Sequence, residues 1–267
     1  MTWVVGASSI FGYGVIISDV RISWLNGADA DMLRKAYPVG PYILAGLAGS
    51  VRIGMHLVAS LQHFLDRPET RTEAQVAWKP EWVAENWSPL AAKLFAQAPV
   101  EEQECGSQII LVGVSPGEDM GVPEFRRVYV VKFSWPDFTP TYSGKGFTVS
   151  HIGSGSGNDS FTAAISEHFR LEAPSLQAEM GGLNGWSQML GHSVGGLVAR
   201  NPIPGISPLV NIDTCRLGGF YSGNNNETVH YPDGQTVEIR MPKIASTYAE
   251  FVSMCEGLGM NATGAIA

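Results

Sequence analysis

Thr2-Trp3-Val4-Val5-Gly6-Ala7-Ser8 and, beyond a Phe11-Gly12 turn, Val15-Ile16-Ile17-Ser18-Asp19-Val20-Arg21 are the stretches on which the fold of this chain turns. Both runs are rich in Val and Ile and too short for helices, so residues 2–8 and 13–18 read as two strands. Residues 22–33 are polar and read as irregular. A short strand near 35–38, a Gly40-Pro41 turn and a strand over 42–48 follow. Gly49-Ser50 then opens a helix. Val51, Met55, Val58, Leu61, Phe64 and Leu65 recur at helical spacing behind it, and Ser50 is its N-cap.

Farther out, polar connectors at 66–80 and 98–106 flank a second helix, which Pro80 starts and which runs to about Gln97. Strands are expected at 109–114, 125–133 and, as one piece, 141–152, where Gly153-Ser154-Gly155-Ser156 ends the run. Helical patterns resume at 158–169 and 176–200. The second carries Gly181, Gly182, Gly185, Gly191, Gly195 and Gly196, which either weaken the helix or let it pack closely. After Pro202 and Pro204, strands are read at 209–215, 219–222, 227–231 and 236–240, then a helix at 244–257. The elements do not alternate βαβα, so the order predicts two sheets between helix layers rather than a doubly wound parallel sheet. The chain reads as one domain over 2–267, with a helical connector insertion around 66–106 and an extended C-terminal part at 241–267.

Composition narrows the function classes. The chain has 267 residues, 45% of them hydrophobic and only 16% charged, which fits a subunit that hides surface in an assembly and equally a lone domain with a large buried core. A net charge of −8 with scattered basic residues gives no footprint for nucleic acid. Cys105, Cys215 and Cys255 are odd in number and lack metal spacing, which fits reduced thiols in a cytoplasmic protein. The first residues lack a signal-peptide pattern, and the apolar run 42–49 is too short to span a membrane. The six histidines form no ligand pattern. Gly153–Gly157 lacks the Lys of a phosphate loop, so neither metal nor cofactor is expected.

Thr2 carries the chemistry. Removal of Met1 would leave a hydroxyl and an α-amine on one residue, a compact nucleophile and base. Thr2, Val4-Val5-Gly6, Asp19-Val20-Arg21, Lys35 and Ala48-Gly49-Ser50 resemble the N-terminal region of proteasome β-type subunits and the related bacterial peptidases of ATP-dependent protease particles. The segment 147–156, ending in Gly153-Ser154-Gly155-Ser156, resembles the family's Gly-Ser-Gly-Ser strand end. The likeness is specific over about 2–65 and 145–160 and fades beyond about 205.

The resemblance implies an α+β, four-layer αββα sandwich of the N-terminal-nucleophile hydrolase type. It also implies a threonine peptidase that assembles into a ring-like homo-oligomer acting on peptide or protein, whose ATPase partner the sequence does not name. Thr2 would attack a carbonyl, and Lys35 would lower the hydroxyl pKa or relay its proton. Asp19 would orient Lys35, the Gly49 N–H would face the oxyanion, and Ser154 would hold the terminal amine. The family's Asp, and the Ser that follows it, should come just after the fourth helix. Asn201 and Pro204 stand there instead. That departure keeps two alternatives open: an inactive structural or binding subunit, and a small-molecule amidase of the same fold.

Overall fold

In the computed structural model, β1 (Val4–Ser8) is buried along its whole length, as is β2 (Gly14–Asp19), and the two pair antiparallel with Val4 opposite Ser18. Residues 2–9, 12–66, 80–115, 128–145, 148–171, 185–217, 219–230 and 236–267 are described. The expected connector over 66–80 and the Ser115-Pro116-Gly117 turn therefore fall largely outside the described residues. The chain is an α+β protein of helices and antiparallel sheets.

The first sheet runs β10 (Val149–Ile152), β1, β2, β11 (Val210–Arg216), β12 (Gly219–Asn224). The second runs β5 (Ala36–Gly40), β6 (Ile43–Gly49), β7 (Ser107–Val114), β8 (Val128–Ser134), β9 (Thr141–Lys145). Val4, Ile16, Leu44, Ile110, Val112, Val130 and Ile152, drawn from both sheets, form one core. Gly6 and Gly46 belong to this interface. A Cβ on Gly6 would stand 2.7 Å from Ile110, and one on Gly46 2.8 Å from Val4. The glycine of the Val-Val-Gly run is thus there for close approach of the sheets.

Helix α1 (Val51–Asp66) and α2 (Pro80–Ala96) bury Leu57, Leu61, Val83, Trp87 and Phe95 in a second core with Ile109, Leu111, Val131 and Phe133. The short helix α3 (Val100–Gln103) sits in the 98–106 connector. Helices α4 (Asp159–Leu171) and α5 (Gly185–Arg200) place Phe161, Ile165, Trp186, Leu190 and Val194 in a third core with Trp3, Val5, Val15, Ile17 and Ile212. Burying one such Leu or Phe contributes about 1.5–3 kcal/mol. On α5, the close-packing reading of the glycines holds at Gly191, where a Cβ would lie 2.2 Å from Ile212.

Three expectations are corrected. Residues 22–33 are not irregular: β3 (Arg21–Trp24) and β4 (Asp29–Asp31) pair as a hairpin, with Arg21 opposite Asp31. The stretch reads as polar because Arg21, Ser23, Asp29 and Asp31 share one face of the hairpin, while the apolar face of Ile22, Trp24, Ala30 and Met32 is short and enters the core. Residues 141–152 are two strands in different sheets, β9 on the edge of the second and β10 on the edge of the first. The last helix, α6 (Tyr248–Gly257), begins later than expected, where Thr247 and Glu250 form a capping box. Beyond β13 (Glu227–His230), β14 (Thr236–Ile239) and α6, β15 (Ala265–Ile266) joins β3 and β4 in a small third sheet.

Candidate active site

The ends of β1 and β2, the entry to β5 and the exit of β10 converge on Thr2. Asp19 closes β2 beside it, and its carboxylate is saturated. Oδ2 accepts from Thr2 Oγ1 at 2.8 Å and from the Trp3 N–H at 2.7 Å, while Oδ1 accepts from the Arg21 N–H at 2.9 Å and from Lys35 Nζ at 3.0 Å. Four donors match the four lone-pair positions of an ionised carboxylate. Lys35 Nζ also donates to Arg21 O at 2.6 Å and, through a short contact, to Thr2 Oγ1. Its three N–H groups thus meet three acceptors.

Thr2, Asp19 and Lys35 are 1%, 2% and 0% exposed, respectively. Burial pushes the Lys35 pKa below the ordinary lysine value, while the charge and hydrogen bond of Asp19 oppose that shift. A lysine so placed supplies positive charge to the hydroxyl and holds its proton less firmly than an exposed lysine does.

The nitrogen of Thr2 donates to Ser154 Oγ at 2.9 Å, and Thr2 O accepts from the Gly155 N–H at 3.1 Å. Ser154 opens a single 3-10 turn, Ser154–Gly157, after β10. Gly153 has φ of 83°, and a Cβ there would come within 2.5 Å of Thr2 O and Cγ2. Only glycine lets this turn lie against the threonine. Its own N–H is held by Gln108 Oε1 from β7 at 2.8 Å, which ties the turn to the second sheet.

Gly49, at the end of β6, has φ of 95°, and a Cβ would meet Gly106 O at 2.4 Å. Ser50 then caps α1, its Oγ accepting from the Ile53 N–H at 3.1 Å. The Gly49 N–H donates to Ala267 O at 2.8 Å. Thus Thr2, Asp19, Lys35 and Ser154 are in direct hydrogen-bond contact, and Gly49 points its donor at a backbone carbonyl from the far end of the sequence.

Asn201 and Pro204 are exposed, and the Asn201 amide donates to Leu197 O in the last turn of α5 at 3.3 Å. A carboxylate approaches the site by another route that the sequence did not reveal. Asp31 on β4 takes the Arg21 guanidinium in two bonds of 2.8 and 3.2 Å and accepts from Ser207 Oγ at 3.0 Å. Arg21 O is in turn a ligand of Lys35 Nζ. The available signal was the acid-x-acid spacing of Asp29-Ala30-Asp31, which puts both acids on one strand face, opposite Arg21.

His151 on β10 stands behind the site. Its Nδ1 accepts from Trp3 Nε1 at 3.1 Å, and burial lowers its pKa. Among the described residues no group of three or more His, Cys, Asp or Glu side chains is placed to hold a metal ion. No described helix is long and apolar enough to cross a membrane. No family model matches this chain, and no curated protein matches it either.

Proposed function

We propose that the chain is a proteasome-like N-terminal-nucleophile hydrolase with a four-layer αββα sandwich, cleaving peptide bonds by acyl transfer to Thr2 once Met1 is removed. The observation that carries the reading is the Thr2 hydroxyl, which donates to Asp19 Oδ2 and accepts from Lys35 Nζ. The three cores, between the sheets and on the outer face of each, support the fold assignment.

In the reaction, Thr2 Oγ1 attacks the substrate carbonyl carbon and passes its proton to the freed α-amine, which titrates near neutrality. Lys35 favours the alkoxide character of Oγ1, and Asp19 holds Lys35 in place. The oxyanion takes the Gly49 N–H, a donor of a kind typically worth about 2.7–4 kcal/mol of transition-state stabilisation. The C–N bond then breaks, and the leaving amine takes the proton from the α-amine. Water hydrolyses the ester and restores Thr2. Ser154 keeps the amine oriented throughout.

Intact mass should show Met1 absent, and a β-lactone or epoxyketone probe should label the wild type but not Thr2→Ala. Retained Met1 would block the amine and end the mechanism. The exposed amide at Asn201, in place of a buttressing acid, favours the second reading, a non-catalytic subunit of the same fold. A trimmed protein that no probe labels would select it. Self-association into a ring is part of the proposal. The exposed Leu217, Phe220 and Tyr221 around the β11–β12 turn support it, and a monomer by light scattering would refute it.

A further inference from the structure

Residues 264–267 lie in a slot between two backbone edges. On one side β15 pairs antiparallel with β3, Ala265 opposite Trp24 and Ile266 opposite Ser23. On the other, Ile266 bridges to Ser50, and Ala267 exchanges both backbone bonds with Gly49, N–H to O at 2.7 Å and O to N–H at 2.8 Å. The inserted strand thus joins the small sheet to the end of β6. Its direction is set: each step from Ala265 toward Ala267 moves along β3 toward Arg21, whose carbonyl binds Lys35.

The contacts that hold this strand are those any extended peptide makes. Both edges offer main-chain groups. The inward positions, Ala265 and Ala267, are buried and take the smallest side chain that still has a Cβ, while Ile266 between them is half-buried. Strand addition of this kind derives affinity from the backbone and selectivity from alternate side chains. Two anchors hold the approach to the slot. Trp24 Nε1 donates to Asn261 O at 2.7 Å, and the Gly264 N–H donates to Glu102 Oε1 at 3.3 Å. Glu102 is buried, and its Oε2 accepts from the helix-capping Ser50 at 2.5 Å.

We infer that segment 264–267 is an intramolecular occupant of the peptide slot and that it must vacate the slot before an extended peptide can reach Thr2. The inference rests on the proposed function for its effect on turnover, because the same Gly49 N–H cannot serve a substrate carbonyl while Ala267 O holds it. A tethered occupant competes at an effective concentration in the millimolar range. If the slot is open about one-tenth of the time, peptides bind about tenfold more weakly than to the open slot.

The test is a reversible lock. Ser23 and Ile266 are directly opposite, so Ser23→Cys with Ile266→Cys can close a disulfide across β3 and β15. Two readouts are taken on the oxidised and reduced protein and on a deletion of 264–267: the rate of Thr2 labelling by a β-lactone, and binding of fluorescein-tagged Gly-Ala-Ile-Ala in a Thr2→Ala background. Labelling should be lost when the protein is oxidised, return on reduction and be about tenfold faster again after deletion, and the peptide should bind only the unlocked forms. Equal labelling in all three forms overturns the inference and leaves the proposed function standing. If no form labels, the proposed function fails and peptide binding decides: selective binding to unlocked protein upholds the inference, and equal or absent binding overturns it. Failure of the disulfide to form, read by intact mass, also overturns it. Should the deletion not fold, the comparison of oxidised with reduced protein decides alone.

Discussion

The cluster at Thr2 and the small β3–β4–β15 sheet beside it share Arg21 but are held together in opposite ways. At Thr2, side chains no more than 2% exposed satisfy one another through charge-assisted bonds. In the small sheet, Arg21 and Asp31 are 26% and 19% exposed on one face, while Ile22, Trp24, Ala265 and Ala267 bury the other in the helix-side core. Buried charge makes the first rigid and intolerant of partial removal.

The sharpest way to break this contrast is Asp19→Ala. It leaves a buried lysine without its counter-charge and should cost about 3–5 kcal/mol in chemical denaturation, along with all probe labelling. Adding Lys35→Met should recover most of that stability without recovering activity, because the unpaired charge is gone. If the single variant is no less stable than the double, the centre is not held by its ion pair.

Gly153→Ala comes next. The added Cβ would collide with the Thr2 backbone at a φ that disfavours side chains, so a loss of about 1–3 kcal/mol is expected, with a fall in the labelling rate. Asp31→Ala probes the other region. Its partly buried, bidentate pair with Arg21 should cost about 1.5–3 kcal/mol of stability, less than Asp19→Ala. A loss as large as that of Asp19→Ala would erase the distinction between the two regions.

The smallest effect is the pH dependence set by His151. Its ring accepts the Trp3 indole N–H as a neutral base, and burial lowers its folded pKa below the ordinary value near 6.5. Its stabilising contribution is therefore complete above about pH 6.5 and is lost as pH falls through the folded value. His151→Asn should make the acid-side decline of Tm shallower. A decline as steep as that of the wild type would show that another group governs it.

The two regions also differ in how far they could be read from sequence. Val4-Val5-Gly6, Asp19-Val20-Arg21, Lys35, Ala48-Gly49-Ser50 and Gly153-Ser154-Gly155 are short motifs whose residue types follow from local demands. These are a strand end, a positive φ and a helix cap, so the strands are legible in the sequence, whereas the site residues are legible only through the resemblance that these motifs carry. The 22–33 hairpin is not, because its apolar alternation, Ile22 and Trp24 and then Ala30 and Met32, is short and broken by polar and charged residues. Residues 141–152 hide a change of sheet, because strand propensity says nothing about which edge a strand joins. Ser207 and Ala267 carry no signal at all, since their partners, Asp31 and Gly49, stand far away in the chain.

What the sequence determined by itself was therefore local: two strands rich in Val and Ile, a capped helix after Gly49, and a threonine in front of them. Only the tertiary structure decided which groups meet. It placed Asp31 on Arg21, and it laid residues 264–267 across the Gly49 donor. Spacing and propensity act over a few residues. Ion pairs and strand edges are satisfied by whatever the packed chain brings within reach, and that is settled only when distant segments have folded together.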